Sequence, residues 1–227
     1  MKKSFLILSI LSYLAILLGL YMAFLYAPTE KTMGVVQRIF YFHVPSAWIS
    51  FMAFAVVAVA SALFLKTRNA KWDLLAYSAA QVGILFLTLV IITGPLWAKP
   101  VWGVYWTWDA RLTTSFVLWL IYIAYLMLRH YVADKERGAR FAAVFGIVGF
   151  LDVPIVYMSI RWWRTLHPSA VIGGGQGSGL APAMLGTLLT CVGAFTVLFI
   201  TLLLFRYQSV KLEEEFEYLK GMNSWKI

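Results

Sequence analysis

Six long apolar runs dominate this 227-residue chain and leave it very few possible architectures. Each run holds about 17–24 residues, close to the roughly 20 that a helix needs to cross a ~30 Å hydrocarbon core. Lipid offers no partner to an unpaired backbone N–H or C=O group, so such runs are expected to be helices. The sequence therefore predicts an all-α integral membrane protein, a single domain over 1–227 with a bundle of six transmembrane helices at approximately 5–26, 44–65, 74–97, 112–128, 141–160 and 183–205.

The composition excludes several other classes of protein. Hydrophobic residues make up 62% of the chain and charged residues only 13%, which is too little charge to cover a soluble globule or to keep a chain disordered. The single cysteine, Cys191, excludes an intramolecular disulfide, a CxxC redox pair and a thiolate zinc site. The first apolar run is longer than the apolar part of a signal peptide, and no A-x-A-like site closes it. We therefore expect it to remain as a helix.

The net charge of +9 is best explained by membrane topology. Nucleic-acid binding would require the Lys and Arg residues to share one solvated face, whereas here they form short clusters between apolar runs. If the N-terminus is cytoplasmic, only six of the 19 basic residues lie outside: Lys31, Arg38, Lys99, Arg111, Arg161 and Arg164. The positive-inside rule therefore predicts that both termini are cytoplasmic and that 206–227 is a cytoplasmic tail.

The tryptophans are distributed unevenly across this topology. Of the ten, two (Trp72 and Trp225) fall on the cytoplasmic side, Trp119 falls within the fourth run, and seven fall at the outer side: Trp48, Trp97, Trp102, Trp106, Trp108, Trp162 and Trp163. An aromatic belt would place tryptophan at both membrane interfaces and does not predict this asymmetry. Two of the three histidines, His43 and His167, also lie outside, while His130 lies inside. Any chemistry of this protein is therefore expected on the outer face.

The segment 97–111 is predicted to be an external, Trp-rich surface. Trp102 and Trp106 are four positions apart, so on a helix they would stack along one face and suit a flat, apolar ligand. Pro45 fits the first turn of the second helix, which would place His43 just before that helix, and His167 follows the fifth.

Neutral imidazole is a good axial ligand for haem iron. A haem ring would also need an apolar cradle, for which the candidates are Trp102, Trp106, Trp108, Trp162 and Trp163. Its propionates would need cations, for which the candidates are Arg38, Arg111, Arg161 and Arg164. The residues by themselves leave two interpretations open, a porphyrin site and a generic lipid-facing belt.

Three motifs resemble a known family. Trp102-Gly103-x-x-Trp106-x-Trp108-Asp109 resembles the "WWD" signature of the haem-handling proteins of cytochrome c biogenesis. The stretches 38–48 and 162–167 resemble the short six-helix member, the CcmC (haem exporter protein C) family, whose larger relatives CcmF and CcsA usually have more helices. The motifs occur in the family's order, and the resemblance covers nearly the whole chain.

The resemblance implies a role in haem delivery and no enzymatic activity. Haem b would be held at the outer face of the bacterial cytoplasmic (inner) membrane, with His43 and His167 as axial ligands of the iron. The segment from Trp102 to Asp109 would lie against the exposed haem edge. The family passes haem to the chaperone CcmE and works with CcmD and the ABC-type pair CcmA and CcmB. The expected haem-binding residues are His43, His167, Trp102, Trp106, Trp108, Asp109, Trp162, Trp163, Arg111 and Arg164.

Several alternatives remain open. A quinol-linked membrane redox protein usually needs histidine pairs inside its helices, and all three histidines here lie outside the apolar runs. A haem translocation channel is a further alternative, although no inverted repeat and no nucleotide motif is apparent. Asp109 would either support the site, by bonding an indole N–H or steering a partner, or cap the fourth helix.

Three other features also have two interpretations each. Asp152 would be functional or, as we favour, the cap of a half-helix kinked at Pro154. The glycine-rich stretch 173–179 would be a flap over the site or a plain linker. The tail carries Leu212, Phe216 and Leu219 at helical spacing, which predicts a short amphipathic helix that either docks a partner or is simply solvated.

Overall fold

The structure, a computed structural model, describes residues 3–168 and 179–224. Most of the glycine-rich stretch 173–179 and Trp225 therefore lie outside the described residues. Within them the chain forms α-helices joined by short connections, and its only β-type pairing is an isolated bridge between Glu30 and Gly34. The α-helices are α1 (Lys3–Tyr21), α2 (Phe40–Thr67), α3 (Ala70–Trp102), α4 (Ala110–Tyr131), α5 (Lys135–Phe150), α6 (Asp152–Trp162) and α7 (Pro182–Ser224). A π-helical turn, Met22–Tyr26, extends α1, and a 3-10 helix, Val35–Ile39, precedes α2.

The predicted six-helix membrane architecture is confirmed. Within residues 3–168 and 179–224, six helical segments are long and apolar enough to cross a membrane: Lys3–Tyr26, Val35–Thr67, Ala70–Trp102, Ala110–Tyr131, Lys135–Trp162 and Pro182–Lys220. Each contains one of the predicted apolar runs. Because the spans alternate in direction, α2, α4 and α7 begin at the same end of the bundle, where α3 and α6 finish. We call this the histidine end, since it carries His43 and His167.

The second span begins earlier than Pro45 predicts. The 3-10 helix Val35–Ile39 leads directly into α2, so His43 lies inside the helix and not just before it. The physical reason is burial: Phe40 and Tyr41 are 5% and 0% exposed and pack against Ala23 and Leu188 of the first and last spans. This packing fixes the helical turn that precedes the proline.

The fifth span is broken at Leu151 and not at Pro154. Leu151 ends α5 and caps α6, and its apolar side chain makes no cap hydrogen bond. Asp152 is the first residue of α6 and is not its cap, so the favoured interpretation of Asp152 as a cap is wrong. Its Oδ2 atom is buried and has no hydrogen-bond partner within the part of the chain that the structure describes. Pro154 is accommodated because it lies in the first turn of α6, where its missing N–H is not needed.

The core of the bundle holds α2, α3 and α4 in close contact. The rings of Phe54 and Tyr122 stack with centroids 3.6 Å apart. Gly83 of α3 lies against α2, and a Cβ atom at that position would come within 2.7 Å of Phe54. This close approach fixes the relative positions of the three helices, whose ends form the candidate site.

Charged contacts join the helices at the opposite end of the bundle. Arg129 of α4 pairs with Asp73 of α3 and lies 3.6 Å from Glu214 of α7. The predicted short tail helix is instead a continuation of α7, which runs without a break to Ser224. Leu212, Phe216 and Leu219 are exposed on it. Partner docking at this face stays a prediction.

Candidate functional site

A cavity at the histidine end brings together residues that are far apart in the sequence. Its empty space, with the open mouth included, is about 660 Å³. Its walls come from α2, α3, the start of α4 and the segment after α6. The lining residues are His43, Ala47, Phe51, Leu87, Val90, Ile91, Gly94, Pro95, Trp97, Ala98, Trp102, Trp106, Arg111, Leu112, Ser115 and His167.

His43 enters the cavity from the first turns of α2 and is only 8% exposed. Its Nδ1 atom lies 2.9 Å from the hydroxyl oxygen of Thr93 on α3. That hydroxyl already donates its one hydrogen to the carbonyl oxygen of Leu89, at 2.6 Å. The His43 Nδ1–H must therefore be the donor in the contact with Thr93, which leaves the lone pair of the imidazole on Nε2.

His167 enters the same cavity from the segment that follows α6. Its Nδ1 atom lies 2.9 Å from the carbonyl oxygen of Pro168, which can only accept, so Nδ1 carries the hydrogen and Nε2 the lone pair. Burial, together with the nearby positive charge of Arg111, lowers the pKa of His167 from 6.5 to about 4. The ring is therefore neutral near pH 7, and both histidines can offer an Nε2 lone pair to a metal.

The Trp-rich segment does not form the predicted helical stack. Gly103 ends α3 with a φ of 78°, a left-handed conformation that costs little without a Cβ atom. Trp106 therefore lies in an irregular connection, and not one helical turn beyond Trp102, yet both indoles line the cavity. Trp108 is 74% exposed and packs edge-on against Trp106, with ring centroids 5.7 Å apart. Trp102 and Trp106 therefore still form an apolar surface, but the turn at Gly103 brings them together and not a shared helical face.

Two indole N–H groups beside the cavity have no hydrogen-bond partner among the described residues. They belong to Trp97 and Trp106, and both nitrogens are buried. The ring of Trp97 also packs edge-on against the imidazole of His43, with centroids 6.0 Å apart. A buried donor without a partner is costly, which is typical of a site that a polar ligand completes.

The candidate arginines have different surroundings. Arg111 lines the cavity, and its Nη1 atom donates to the carbonyl oxygen of Val156 on α6. Arg38 donates to the carbonyl oxygens of Ala23 and Ala27, so its guanidinium holds the end of the first span. The guanidinium of Arg161 lies 5.8 Å from the ring centroid of Tyr157.

Three predicted haem-binding residues lie on the exposed surface near the end of α6. Arg164 is exposed, and Trp162 and Trp163 are about half exposed and pack edge-on against each other. None of the three lines the cavity described above. They form a separate aromatic surface with a basic neighbour.

Asp109 caps α4, which agrees with one of its two predicted roles. Its Oδ1 atom accepts from the backbone N–H groups of Arg111 and Leu112, at 3.0 and 3.2 Å. The same atom accepts from the hydroxyl of Thr165, and Oδ2 accepts from the hydroxyl of Thr107, each at 2.8 Å. Among the described residues its four donors are two backbone N–H groups and two threonine hydroxyls, and none is an indole N–H.

No sequence pattern singles out Thr93 or Gly94. Both lie within an apolar run, where threonine and glycine are common helix residues. A Cβ atom at Gly94 would lie 3.5 Å from Cε1 of His43, so the glycine leaves open the space beside the imidazole. Only the packing of α2 against α3 reveals either role.

Comparison with known proteins gives a consistent result. The family model described as CcmC, heme exporter protein C, matches residues 1–221. The heme exporter protein C of Bradyrhizobium diazoefficiens is 42% identical over 185 residues, which cover 82% of this chain and 70% of the relative. That of Escherichia coli strain K12 is 33% identical over 203 residues, covering 89% and 82%. A Marchantia polymorpha protein named as a putative cytochrome c biosynthesis ccmC-like mitochondrial protein is 37% identical over 155 residues, covering 68% and 65%.

Proposed function

The chain belongs to the heme exporter protein C (CcmC) family of cytochrome c biogenesis, and on this premise we propose that it holds haem b between His43 and His167 and delivers it to the haem chaperone CcmE. The family is a haem transport and delivery component and not an enzyme. Haem is therefore the cargo of this protein. CcmA, CcmB and CcmD are the expected partners. We propose a bacterial inner-membrane location, with both termini cytoplasmic and the cavity facing the periplasm.

One observation carries the proposal: two histidines from separate parts of the chain line one cavity, and each has its Nδ1–H engaged. His43 donates to Thr93 and His167 to Pro168, so both rings keep the Nε2 lone pair for iron. Hydrogen bonds of this kind fix the ring orientation of metal-binding histidines and raise their basicity. Imidazole is an established axial ligand of haem iron, and the two rings would together supply a bis-imidazole pair.

The rest of the cavity suits a porphyrin. Gly94 and Ala98 are small residues of α3 in the cavity lining, so they leave space for a ligand. Trp102 and Trp106 offer flat apolar surface. Arg111 supplies a cation for a propionate, and the unpartnered N–H groups of Trp97 and Trp106 supply neutral donors.

Delivery requires that the cargo be anchored without being enclosed. The cavity is open at its mouth, and a groove of about 540 Å³ beside it is lined by Ile91, Pro95, Trp106, Trp108 and Phe116. The exposed indole of Trp108 can therefore contact both a haem edge and the partner that receives it. Release would follow when a ligand from the chaperone competes for the iron, or when a change in iron redox state weakens imidazole binding.

The alternatives receive less support. The sequence has three histidines in all, and His130 lies near the far end of α4, so the chain cannot supply the second histidine pair of a di-haem quinol enzyme. Below the cavity the bundle is filled by Phe54, Tyr122 and small residues of α3. We therefore favour entry of haem at the histidine end over passage through the bundle.

The test is to purify the protein with haem and to compare His43→Ala and His167→Ala with His130→Ala. Each of the first two variants should lose most of its haem or show an optical spectrum altered from bis-imidazole coordination. The third should match the unaltered protein, because His130 lies at the opposite end of the bundle. Unchanged haem content and an unchanged spectrum in both His43→Ala and His167→Ala would refute the assignment. Co-purification of the unaltered protein with CcmE tests the delivery step.

A further inference from the structure

We infer that Asp109 is a positioning residue for His167, to which it is linked through the hydroxyl of Thr165. This inference rests on the proposed function, since it assigns to Asp109 a role in ligand placement and not in contact with haem. It differs from the sequence-based expectation that Asp109 touches an indole or steers a partner.

The first step is the hydrogen-bond chain itself. The backbone N–H of His167 donates to the hydroxyl oxygen of Thr165, at 3.1 Å. The hydroxyl of Thr165 in turn donates to Oδ1 of Asp109, at 2.8 Å. A threonine hydroxyl has one hydrogen to donate, so the direction of this chain is fixed from His167 to Thr165 to Asp109.

The second step is what Asp109 is attached to. As the cap of α4 it is bonded to the backbone N–H groups of Arg111 and Leu112, at the start of a 22-residue helix. That helix packs in the core of the bundle through Leu118, Tyr122 and Tyr125. Asp109 is therefore one of the firmly placed groups at the histidine end.

The third step concerns the segment that carries His167. Among the described residues, His167 lies beyond the C-terminus of α6 in a segment without helix or strand, and its ring bonds to the carbonyl oxygen of the adjacent Pro168. The contact of Thr165 with Asp109 thus ties the segment that carries one proposed iron ligand to the helix start that carries Arg111.

A carboxylate suits this position better than any neutral side chain. Its two oxygens accept four hydrogen bonds here, two from backbone and two from threonine hydroxyls. An amide would offer a single acceptor oxygen, and a serine or threonine cap only one oxygen in all. The negative charge is also favourable at the N-terminus of a helix.

The experiment changes Thr165, because that residue can be altered without removing the cap of α4. Thr165→Val removes the hydroxyl, and the separate variant Thr165→Ser retains it. Thr190→Val, which removes a hydroxyl that donates to the carbonyl oxygen of Gly186 within α7, is the matched control. Haem affinity and the optical spectrum are measured on each purified protein. Hydrogen–deuterium exchange of the peptide containing His167 is measured on the haem-free protein.

The valine variant should bind haem about tenfold more weakly, as is typical when a supporting hydrogen bond of a metal ligand is removed. Its spectrum should lose bis-imidazole character, and the amide of His167 should exchange faster even without haem. The serine variant and the control should match the unaltered protein. A Thr165→Val protein with unaltered affinity, spectrum and exchange would overturn the inference. Failure of the proposed function would look different, because the unaltered protein itself would then lack haem or be insensitive to His167→Ala.

Discussion

The contact between Thr93 and His43 gives the sharpest quantitative prediction. Thr93→Val removes a hydroxyl but keeps the β-branched shape, so α3 should pack as before. The Nδ1–H of His43, now 2.9 Å from a bonded acceptor, would then face a methyl group in a buried site. An unpaired buried donor costs about 1–3 kcal/mol. The imidazole can avoid that cost only by turning or by changing tautomer, and either change withdraws the Nε2 lone pair from the iron.

The expected loss of haem affinity can be stated as a fold-change. Removal of a hydrogen bond to a metal-binding histidine typically lowers affinity by about 10–100-fold. Such a loss corresponds to roughly 1.4–2.8 kcal/mol. We therefore expect Thr93→Val to bind haem at least about tenfold more weakly, with weakened His43 coordination in its optical spectrum, while Thr93→Ser retains both.

The assay is haem titration of the purified, haem-free protein, with the optical spectrum recorded at saturation. Thr88→Val is the matched control, because Thr88 lies on the same helix and accepts a hydrogen bond from the indole of Trp119, not from a histidine. That variant should lose some stability but keep its haem affinity. If Thr93→Val bound haem within twofold of the unaltered protein, with the same spectrum, the argument that Thr93 fixes the His43 tautomer would be refuted.

Two further predictions concern the cavity and its protonation. Gly94→Leu should lower haem affinity about tenfold or more, because the new side chain extends beside His43 and overpacking costs about 1–3 kcal/mol. Gly193→Leu, at an open position on α7, should leave the affinity unchanged. Haem titration of the two purified variants makes the comparison. Because the pKa of His167 is lowered from 6.5 to about 4, the unfolded chain binds a proton there that the folded, haem-free protein does not. The free energy of unfolding should therefore fall as the pH drops from about 6.5 to about 4. Thermal unfolding measured over this pH range should show a smaller loss of stability for His167→Gln than for the unaltered protein. An equal loss in the two proteins would contradict the lowered pKa of His167.

The aromatic segment shows how a correct functional expectation can rest on a wrong local structure. Spacing suggested that Trp102 and Trp106 share a helical face. Instead Gly103 takes a left-handed conformation, α3 ends, and the chain turns back to bring both indoles to one cavity. A glycine permits such a turn but does not require it, so the sequence could not decide between the two structures. The start of α2 is similar, since burial of Phe40 and Tyr41 moves it ahead of the helix start that Pro45 predicted.

The sequence by itself determined the membrane architecture, because hydropathy and backbone hydrogen bonding act locally and every apolar run had to become a helix. It also offered a helix cap as one of two roles for Asp109, since a cap depends only on the next few residues. The pairing of His43 with His167, the support of those rings by Thr93 and Thr165, and the separation of Arg111 from Arg38 were decided by tertiary structure. These features depend on contacts between helices distant in the chain, and such contacts are fixed by close packing, as at Gly83 against Phe54, which leaves no periodic signal in the sequence.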